Sequence, residues 1–440
     1  MLKIGIAEEI ITPPRGIGLA GYFNRRPNRG FLDNLHARAI AFELNGVRAG
    51  IISLDLEGLG EERCRAILER LPKFGVDFAD NIIVTVTHTH TGPVPFDKEV
   101  PELSKLYQEE LHDKAAMAMR RAVLDLAPAE LEFASARNNP YARCRRYWMK
   151  NGTVVTNPGK YNPNIDRPES DFDNTISVIA VKQEGRLAAL LTNIANHGDS
   201  TNGDIVSADW HGRMERYIRH KLNCGLPVFA LIDAAGDLNQ TNNFDDVDPC
   251  CVEEATRIGQ GYARIVLGLL DKLEPLELKS LKVNNSFVDI PHRRISPEEL
   301  AKAKKTLEEI PETAGVGNLT SEGLANGDPV VLRYFAKRIV DCAEKSTPSH
   351  RVRLTSIEFD RELAFISLPG EPFNGVSRGI RAKSPFKRNI VIEQSQGRGG
   401  YFAMPECFPR GGYETMPGVD SPAPETATVL IEGALANLGK

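Results

Sequence analysis

Short apolar runs that alternate with long amphipathic segments are the feature that most restricts the fold of this chain. The runs NIIVTVT (81–87) and LPVFALID (226–233) are apolar and rich in β-branched residues, as buried strands are. From Pro101 to about Ala127, by contrast, apolar residues recur at helical spacing. HARAIAFEL and VRAGIISLD flank Asn45-Gly46, a strong hairpin signal. The pattern predicts an α/β fold of mixed β-sheets flanked by helices.

The length of the chain and its local composition predict the domain organisation. The 440 residues, 41% of them hydrophobic, can bury a large core, and we predict one domain over residues 1–440. The stretch 296–345 is different, because it is rich in Lys and Glu and is interrupted by AGVGNLTSEGLANGD. We predict that it is a helical insertion or subdomain, with a mobile link near 313–327.

Charge and cysteine usage exclude several classes of partner. With 54 basic and 59 acidic residues the net charge is −5, so we expect no nucleic-acid partner. No run reaches the roughly 18 apolar residues of a membrane span, so we expect no integral membrane segment. The N-terminus has acidic residues where a secretory signal is apolar, and the seven scattered cysteines contain no CxxC pair. We therefore expect a cytoplasmic protein that acts on a small molecule; its oligomeric state is not predicted.

Four of the predicted strands each lead into a metal-competent or acidic side chain. The carboxyl ends of strands in α/β proteins converge on the ligand crevice, so we expect these side chains to share one pocket at that edge. The groups are His88 and His90 after IIVTVT, His197 after LLTNIAN, Asp237 after VFALID, and Glu371 after LAFISLPG.

Each of these residues also has an ordinary structural explanation. His88 and His90 lie two apart, so their side chains share one face of an extended strand, but a pair of loop histidines bonded to backbone is equally compatible with the spacing. Taken alone, His197 would be a loop histidine whose ring nitrogens are hydrogen-bonded. Glu371 would be an acidic residue that the helix dipole favours at a helix N-terminus. We interpret Asp199 and Asp204 as turn formers and Asp209 as an N-cap.

Two tyrosines in a glycine-rich loop are further candidates. Tyr401 in GRGGYFAMPE and Tyr413 in RGGYE each follow two glycines, which let the backbone turn sharply or approach a ligand closely. Either phenol can serve as a metal ligand or as a hydrogen-bond donor to an oxyanion. Two imidazoles and a carboxylate are a familiar set for catalytic zinc, so the combination indicates a metal-dependent enzyme.

Taken in order, these motifs resemble those of the neutral ceramidases, zinc amidases that cleave the N-acyl bond of ceramide. That family carries THTHSGP, an NxHPTS-like loop, SSDxxG, GDVSPN, a glutamate after a buried strand, and GY…YEG. The corresponding segments here are THTHTGP (87–93), NHGDST (196–201), SADWHG (207–212), GDLNQ (236–240), LPGEPF (368–373) and GYFAMPECFPRGGYE (400–414). The match covers nearly the whole chain. The chain resembles a short, bacterial-like member of the family without the C-terminal β-sandwich domain.

The resemblance implies a role for each candidate residue. It implies Zn²⁺ held by His88, His197, Glu371 and Tyr401. His90 would handle protons beside the metal, while Tyr413 and Arg145 would stabilise the tetrahedral intermediate, with Arg146 as the near alternative to Arg145. Asp237 would support the site without touching the metal.

The resemblance also implies a zinc-dependent hydrolase of a C–N amide bond that uses metal-activated water. HPTS is replaced by HGDS and GDVSPN by GDLNQ, so we expect a substrate smaller or more polar than ceramide. One alternative is an esterase or lactonase acting on a polar or carbohydrate-derived substrate. A second is a metal-stabilised binding protein.

Overall fold

The structure, a computed structural model, describes residues 1–22, 25–312, 323, 327–397 and 399–439. Its helices are α1 Glu61–Arg70, α2 Pro101–Leu124, α3 Asp209–Leu222, α4 Val252–Leu269, α5 Pro297–Glu309, α6 Pro329–Lys345, α7 Asn374–Lys383 and α8 Thr426–Asn437. Its strands are β1 Lys3–Ile10, β2 Gly18–Leu19, β3 Arg26–Pro27, β4 Gly30–Phe31, β5 His36–Leu44, β6 Val47–Leu54, β7 Ile82–Val86, β8 Ala127–Arg137, β9 Arg143–Cys144, β10 Arg146–Met149, β11 Val154–Thr156, β12 Ile165–Pro168, β13 Thr175–Gln183, β14 Arg186–Ile194, β15 Ile205–Val206, β16 Val228–Ile232, β17 Leu238–Asn239, β18 Glu274–Pro275, β19 Lys282–Pro291, β20 Ser349–Phe359, β21 Leu363–Ser367, β22 Glu371–Pro372, β23 Arg388–Ile392 and β24 Tyr401–Phe402.

A nine-stranded mixed sheet forms the larger layer. Its order is β16-β14-β13-β8-β1-β5-β6-β7, and β18 pairs with β8. The β5–β6 hairpin turns at Asn45 and Gly46, which both have positive φ (53° and 81°), as the Asn-Gly signal predicts. Strand β7 is parallel to β6 at one edge, and β16 is parallel to β14 at the other. Both edge strands therefore have their carboxyl ends beside those of a parallel neighbour.

A four-stranded sheet, β19-β20-β21-β23, packs against the larger one and joins its two edges. The segment after β23 donates a backbone hydrogen bond from Glu393 to Ile232 of β16 and another from Gln396 to Val84 of β7, both at 2.9 Å. A core of buried side chains from both sheets lies between them, including Phe42, Phe229 and Phe365. The chain thus brings the ends of β7, β14, β16 and β21 into one region.

Helices cover the outer faces of both sheets. Helices α1 and α2 pack on the β5–β7 part of the large sheet, and α3 and α4 pack on the part around β13, β14 and β16. Helices α7 and α8 cover the smaller sheet. Because each of these six helices buries its apolar face against a strand layer, the fold is α/β with mixed sheets flanked by helices, as the alternating pattern predicts.

The predicted insertion contains two helices, α5 and α6. Most of the predicted link at 313–327 lies outside the described residues, and whether 296–345 forms a separate subdomain stays a prediction. None of the helices in the described part of the chain combines the length and apolar character needed to cross a bilayer. Each of the seven cysteines is unpaired.

Candidate metal centre

Three histidines meet where the two edges of the large sheet are brought together by the smaller sheet. His88 and His90 follow β7, and His197 follows β14. The ligand nitrogens of the three imidazoles all lie within 4.8 Å of one another. His88 and His197 each keep 2% side-chain exposure and His90 keeps 12%, so His90 is the one most accessible to a bound molecule. The strand ends therefore converge as the sequence predicts.

The route by which His88 and His90 converge differs from the sequence expectation. Strand β7 ends at Val86, and His88 has a left-handed backbone with φ 60°, so the two histidines do not share one face of an extended strand. A β-bridge joins Thr89 to Gly198, and a Cβ at position 198 would lie 2.4 Å from the carbonyl oxygen of His88. Only glycine permits this approach, which brings the His197 loop against the His88 turn.

Glu371 completes a set of converging ligand atoms. Its Oε2 lies 3.3 Å from His197 Nε2 and 3.5 Å from His88 Nε2, and those two nitrogens are 3.1 Å apart. His90 Nε2 is 3.2 Å from His88 Nε2. Four donors of a tetrahedral zinc ion with bonds of about 2.05 Å are about 3.3 Å apart, so the observed separations fit a zinc-sized cation.

The protonation of these groups also fits a cation. His88 Nδ1 lies 2.5 Å from the carbonyl oxygen of Glu57, an arrangement that places a proton on Nδ1 and leaves the Nε2 lone pair facing the cluster. Glu371 Oε2 is buried and has no hydrogen-bond partner in the described structure. A carboxylate oxygen and two imidazole nitrogens at this range repel one another unless positive charge lies between them, supplied either by a proton on His88 or by a bound metal ion.

The pKa shifts of these residues also indicate a site for a cation. Burial lowers the pKa of His88, but Glu371 more than compensates and raises it to about 10, so the cluster stabilises positive charge at this point. Burial and then Arg145 lower the pKa of His197 to about 4, which keeps its imidazole neutral. Burial raises the pKa of Glu371, but His88 outweighs it and holds that pKa well below the usual range. His197 and Glu371 are thus in the forms that bind metal, a neutral imidazole and an ionised carboxylate, and at His88 a bound cation would replace the proton on Nε2.

The two candidate tyrosines lie beside this cluster. Strand β24 pairs in parallel with β22, so the backbone of Tyr401 is directly opposite that of Glu371. The ring of Tyr413 is 5.7 Å from the ring of Tyr401 at an interplanar angle of 72°. Burial, followed by Glu371, raises the pKa of Tyr401 well above its usual value and that of Tyr413 to about 12. Tyr413 therefore carries its proton near neutral pH, and so does Tyr401 unless it binds a cation.

The structure separates the two adjacent arginines. Arg145 Nη1 is 3.5 Å from His197 Nε2, and its guanidinium carbon is 5.2 Å from the centre of the Tyr401 ring. Arg146 turns the other way and donates to Glu169 and to the carbonyl of Gly411. Glu414, buried and absent from the sequence prediction, accepts from Arg145 at 2.8 Å and from Arg146 at 2.7 Å. Arg145 is thus the arginine beside the histidines, and Glu414 holds it there.

Asp237 links three segments around the centre without contacting the histidines. Its carbonyl accepts from Arg145 N at 2.9 Å, and its Oδ1 accepts from Asn374 N at 2.7 Å, at the start of α7. A Cβ at the preceding Gly236 would lie 2.3 Å from the carbonyl oxygen of Glu371, so the Gly-Asp pair lets the two loops touch. This geometry agrees with a supporting position for Asp237.

Two acidic residues interpreted as local structure formers have larger roles. Asp199 accepts from the Tyr22 hydroxyl at 2.5 Å, and its Oδ1 is 3.5 Å from His90 Nδ1. Asp209 is not the N-cap of α3, which is Ala208; its buried carboxylate accepts from the backbone nitrogens of Ser200 and Thr201. Asp209 therefore fixes the loop that carries His197 and Asp199. The sequence signal for Asp199 was its place two residues after His197.

The comparisons with known proteins bear on the fold. No protein-family model matches the sequence, and no curated protein does. Among solved structures, the neutral ceramidase from Pseudomonas aeruginosa aligns with 99% of this chain and 74% of its own, at a TM-score of 0.71 and 19% identity. A structure of a ceramidase complexed with C2 aligns with 98% of this chain and 74% of its own, at a TM-score of 0.70 and 18% identity.

Fold and site together define an α/β protein with a buried, metal-competent His–His–Glu cluster at the carboxyl ends of its strands. The architecture is that of the aligned part of the two ceramidase structures, over nearly the full length of this chain. The resemblance indicated by the ordered motifs is therefore confirmed for the fold.

Proposed function

We propose that this chain is a zinc-dependent hydrolase that cleaves an N-acyl C–N bond, with His88, His197, Glu371 and Tyr401 as the zinc ligands. The observation that carries the proposal is the convergence of two imidazole nitrogens and one ionised carboxylate oxygen within 3.5 Å of one another. The likeness to ceramidase structures supports the choice of an amide bond. A bound zinc ion supplies an acidified water and polarises the scissile carbonyl.

The remaining site residues have the chemistry that amide hydrolysis needs. His90, the most exposed of the three histidines, accepts a proton from the attacking water and returns it to the leaving amine. The Tyr413 hydroxyl and the Arg145 guanidinium donate hydrogen bonds to the oxyanion that develops on the carbonyl. Arg145 is already oriented for this, because Glu414 and the carbonyl of Gly236 hold it at 2.8 and 2.7 Å.

The proposed substrate is smaller or more polar than ceramide, because two motifs of the family are changed in this chain, HPTS to HGDS and GDVSPN to GDLNQ. The two segments that depart from the family motifs contact each other, because the Gln240 side chain donates to the carbonyl of Asp199.

Esters and lactones pass through the same tetrahedral intermediate, so a matched panel of acyl amides, esters and lactones tests the reaction class. Zinc-dependent turnover of amides supports the proposal, whereas turnover restricted to esters and lactones assigns the chain to that class.

Replacing Tyr413 by Phe tests whether this residue acts in catalysis without binding the metal. We expect Tyr413→Phe to lower kcat about a hundredfold, because one oxyanion donor is lost, while zinc content stays at the wild-type level. Tyr217→Phe on α3 removes a hydroxyl away from the centre and serves as the control. Equal turnover by the Tyr413→Phe and wild-type proteins in steady-state assays would remove Tyr413 from the mechanism.

Replacing Asp199 by Asn tests its action through His90. Asp199 Oδ1 lies 3.5 Å from His90 Nδ1, where an ionised carboxylate would stabilise a protonated His90. We therefore expect Asp199→Asn to lower kcat/KM about tenfold or more for alkyl amides, whose leaving amine must be protonated. A nitrophenyl ester, whose leaving group needs no proton, should be affected far less. Asp204→Asn, in the same loop but paired with Arg29, is the matched control. An equal loss for both substrates would indicate a purely structural role.

A further inference from the structure

A pocket beside the two tyrosines has a cationic side chain in its wall. It has a volume of about 250 Å³, and its lining includes Tyr401 and Tyr413 on one side and Phe335 and Arg338 of α6 on the other. Ligand pockets for drug-sized molecules have volumes of about 300–1,000 Å³, so this one suits a short, compact group. The insertion helix α6 thus contributes directly to the surroundings of the candidate centre.

Arg338 is the basic side chain of this pocket, and its charge is not neutralised by an ion pair in the described structure. In the described structure its guanidinium forms no ion pair, and its contacts are 3.4 Å bonds from Nε to the Pro417 carbonyl and from Nη1 to the Tyr334 hydroxyl. A guanidinium has five N–H donors, so most of this capacity is left for a ligand.

The two acidic residues of the same pocket are engaged elsewhere. Glu414 pairs with Arg145 and Arg146, as described above. Asp420 lies 3.0 Å from His292 Nδ1 and accepts from Thr347 N. The positive charge of Arg338 is therefore available to an anionic group that enters the pocket.

The guanidinium of Arg338 is also held in a fixed place. Its central carbon lies 5.8 Å from the ring centres of both Tyr334 and Phe335. A Cβ at position 418 would lie 2.4 Å from its Nη2, so the absence of a side chain at Gly418 lets the guanidinium rest on the backbone. The Phe335 ring in turn contacts the Tyr413 ring at 6.2 Å. Arg338 is therefore held in place by Phe335, which in turn contacts Tyr413, the proposed oxyanion donor.

We propose that Arg338 binds a carboxylate on the amine-derived part of the substrate, so that the preferred substrates are N-acyl amino acids. The planar guanidinium matches a carboxylate with two parallel hydrogen bonds, and the small pocket accommodates the amino-acid part rather than a long acyl chain. This inference rests on the proposed amide hydrolysis for its reaction, but binding of the carboxylate at Arg338 can be measured without turnover.

The test compares three substrates with one acyl chain: N-octanoylglycine, its uncharged carboxamide, and N-octanoylethanolamine phosphate. We expect wild-type kcat/KM to favour the carboxylate over the carboxamide by about tenfold or more, and Arg338→Gln to reduce that ratio about tenfold. Lys337→Gln, the same charge change at an exposed position of α6, should leave the ratio unchanged. Calorimetric binding of N-octanoylglycine and of its carboxamide to each protein gives the same comparison without catalysis.

The outcomes separate the two proposals. A wild-type ratio near one, or a ratio that Arg338→Gln does not change, overturns the Arg338 site even if amides are hydrolysed. A stronger preference for the phosphate overturns the assignment to amino acids. Arg338-dependent binding of N-octanoylglycine without hydrolysis of any amide supports the site and contradicts the proposed reaction.

Discussion

His88→Ala and His197→Ala are expected to reduce bound zinc from about one ion per chain to below about one tenth. Each substitution removes one of two facing Nε2 atoms that are 3.1 Å apart and leaves the Glu371 carboxylate with a single imidazole partner. A site with three or four protein ligands loses most of its affinity when one is removed. Elemental analysis of the purified proteins after dialysis measures the effect, and hydrolysis of the preferred amide should fall to background in both variants.

Two further histidine variants make this result specific. His90→Ala should keep much of the zinc and lose rate by about a hundredfold or more, because His90 is proposed to transfer protons. Its Nε2 lies 3.2 Å from His88 Nε2, so geometry alone would also allow it to be a ligand, and metal analysis decides between the two roles. His220→Gln, exposed on α3, should retain both zinc and activity. Full zinc content in His88→Ala and His197→Ala would remove both residues as ligands.

The parts of the site that could be predicted from the sequence are those encoded by strand ends. A buried apolar strand fixes the position of the residue that follows it, so the amino-acid sequence alone was enough to expect His88, His197, Glu371 and Asp237 at one edge. The hairpin at Asn45-Gly46 was predictable for a similar local reason, because both residues accept positive φ. In each case a short stretch of chain contains the information.

The parts that could not be predicted depend on contacts between distant segments. Glu414 bridges Arg145 and Arg146 across 269 and 268 positions, and no local pattern distinguishes it from an exposed glutamate. The left-handed turn at His88 depends on the approach of Gly198, and the bond from Tyr22 to Asp199 spans 177 positions. Arg338 on α6 meets Tyr413 only through tertiary packing. Such pairings depend on the tertiary fold, so no local sequence pattern encodes them.

Glu414→Gln is expected to lower the free energy of unfolding by about 3–5 kcal/mol and also to reduce activity. The substitution leaves the buried Arg145 without a carboxylate partner, whereas Arg146 keeps Glu169, and an uncompensated buried charge costs about this much. Arg145 loses the bond that orients it beside His197, so amide hydrolysis should fall while zinc content is retained. Chemical denaturation, followed by fluorescence, and elemental analysis measure the two effects. Glu406→Gln, the same change at an exposed position of the same loop, is the matched control.

The pH dependence of this difference tests the electrostatic cause. Burial raises the pKa of Glu414, but Arg145 and Arg146 outweigh it and hold the pKa below its usual value of 4.5. A carboxylate with a depressed pKa stabilises the folded state fully above the unfolded pKa, and this contribution is lost as the pH falls through the folded pKa. The gap in unfolding free energy between wild type and Glu414→Gln should therefore be constant near neutral pH and shrink below pH 4.5. A gap that is the same at every pH would mean that packing, and not the charge of Glu414, holds Arg145.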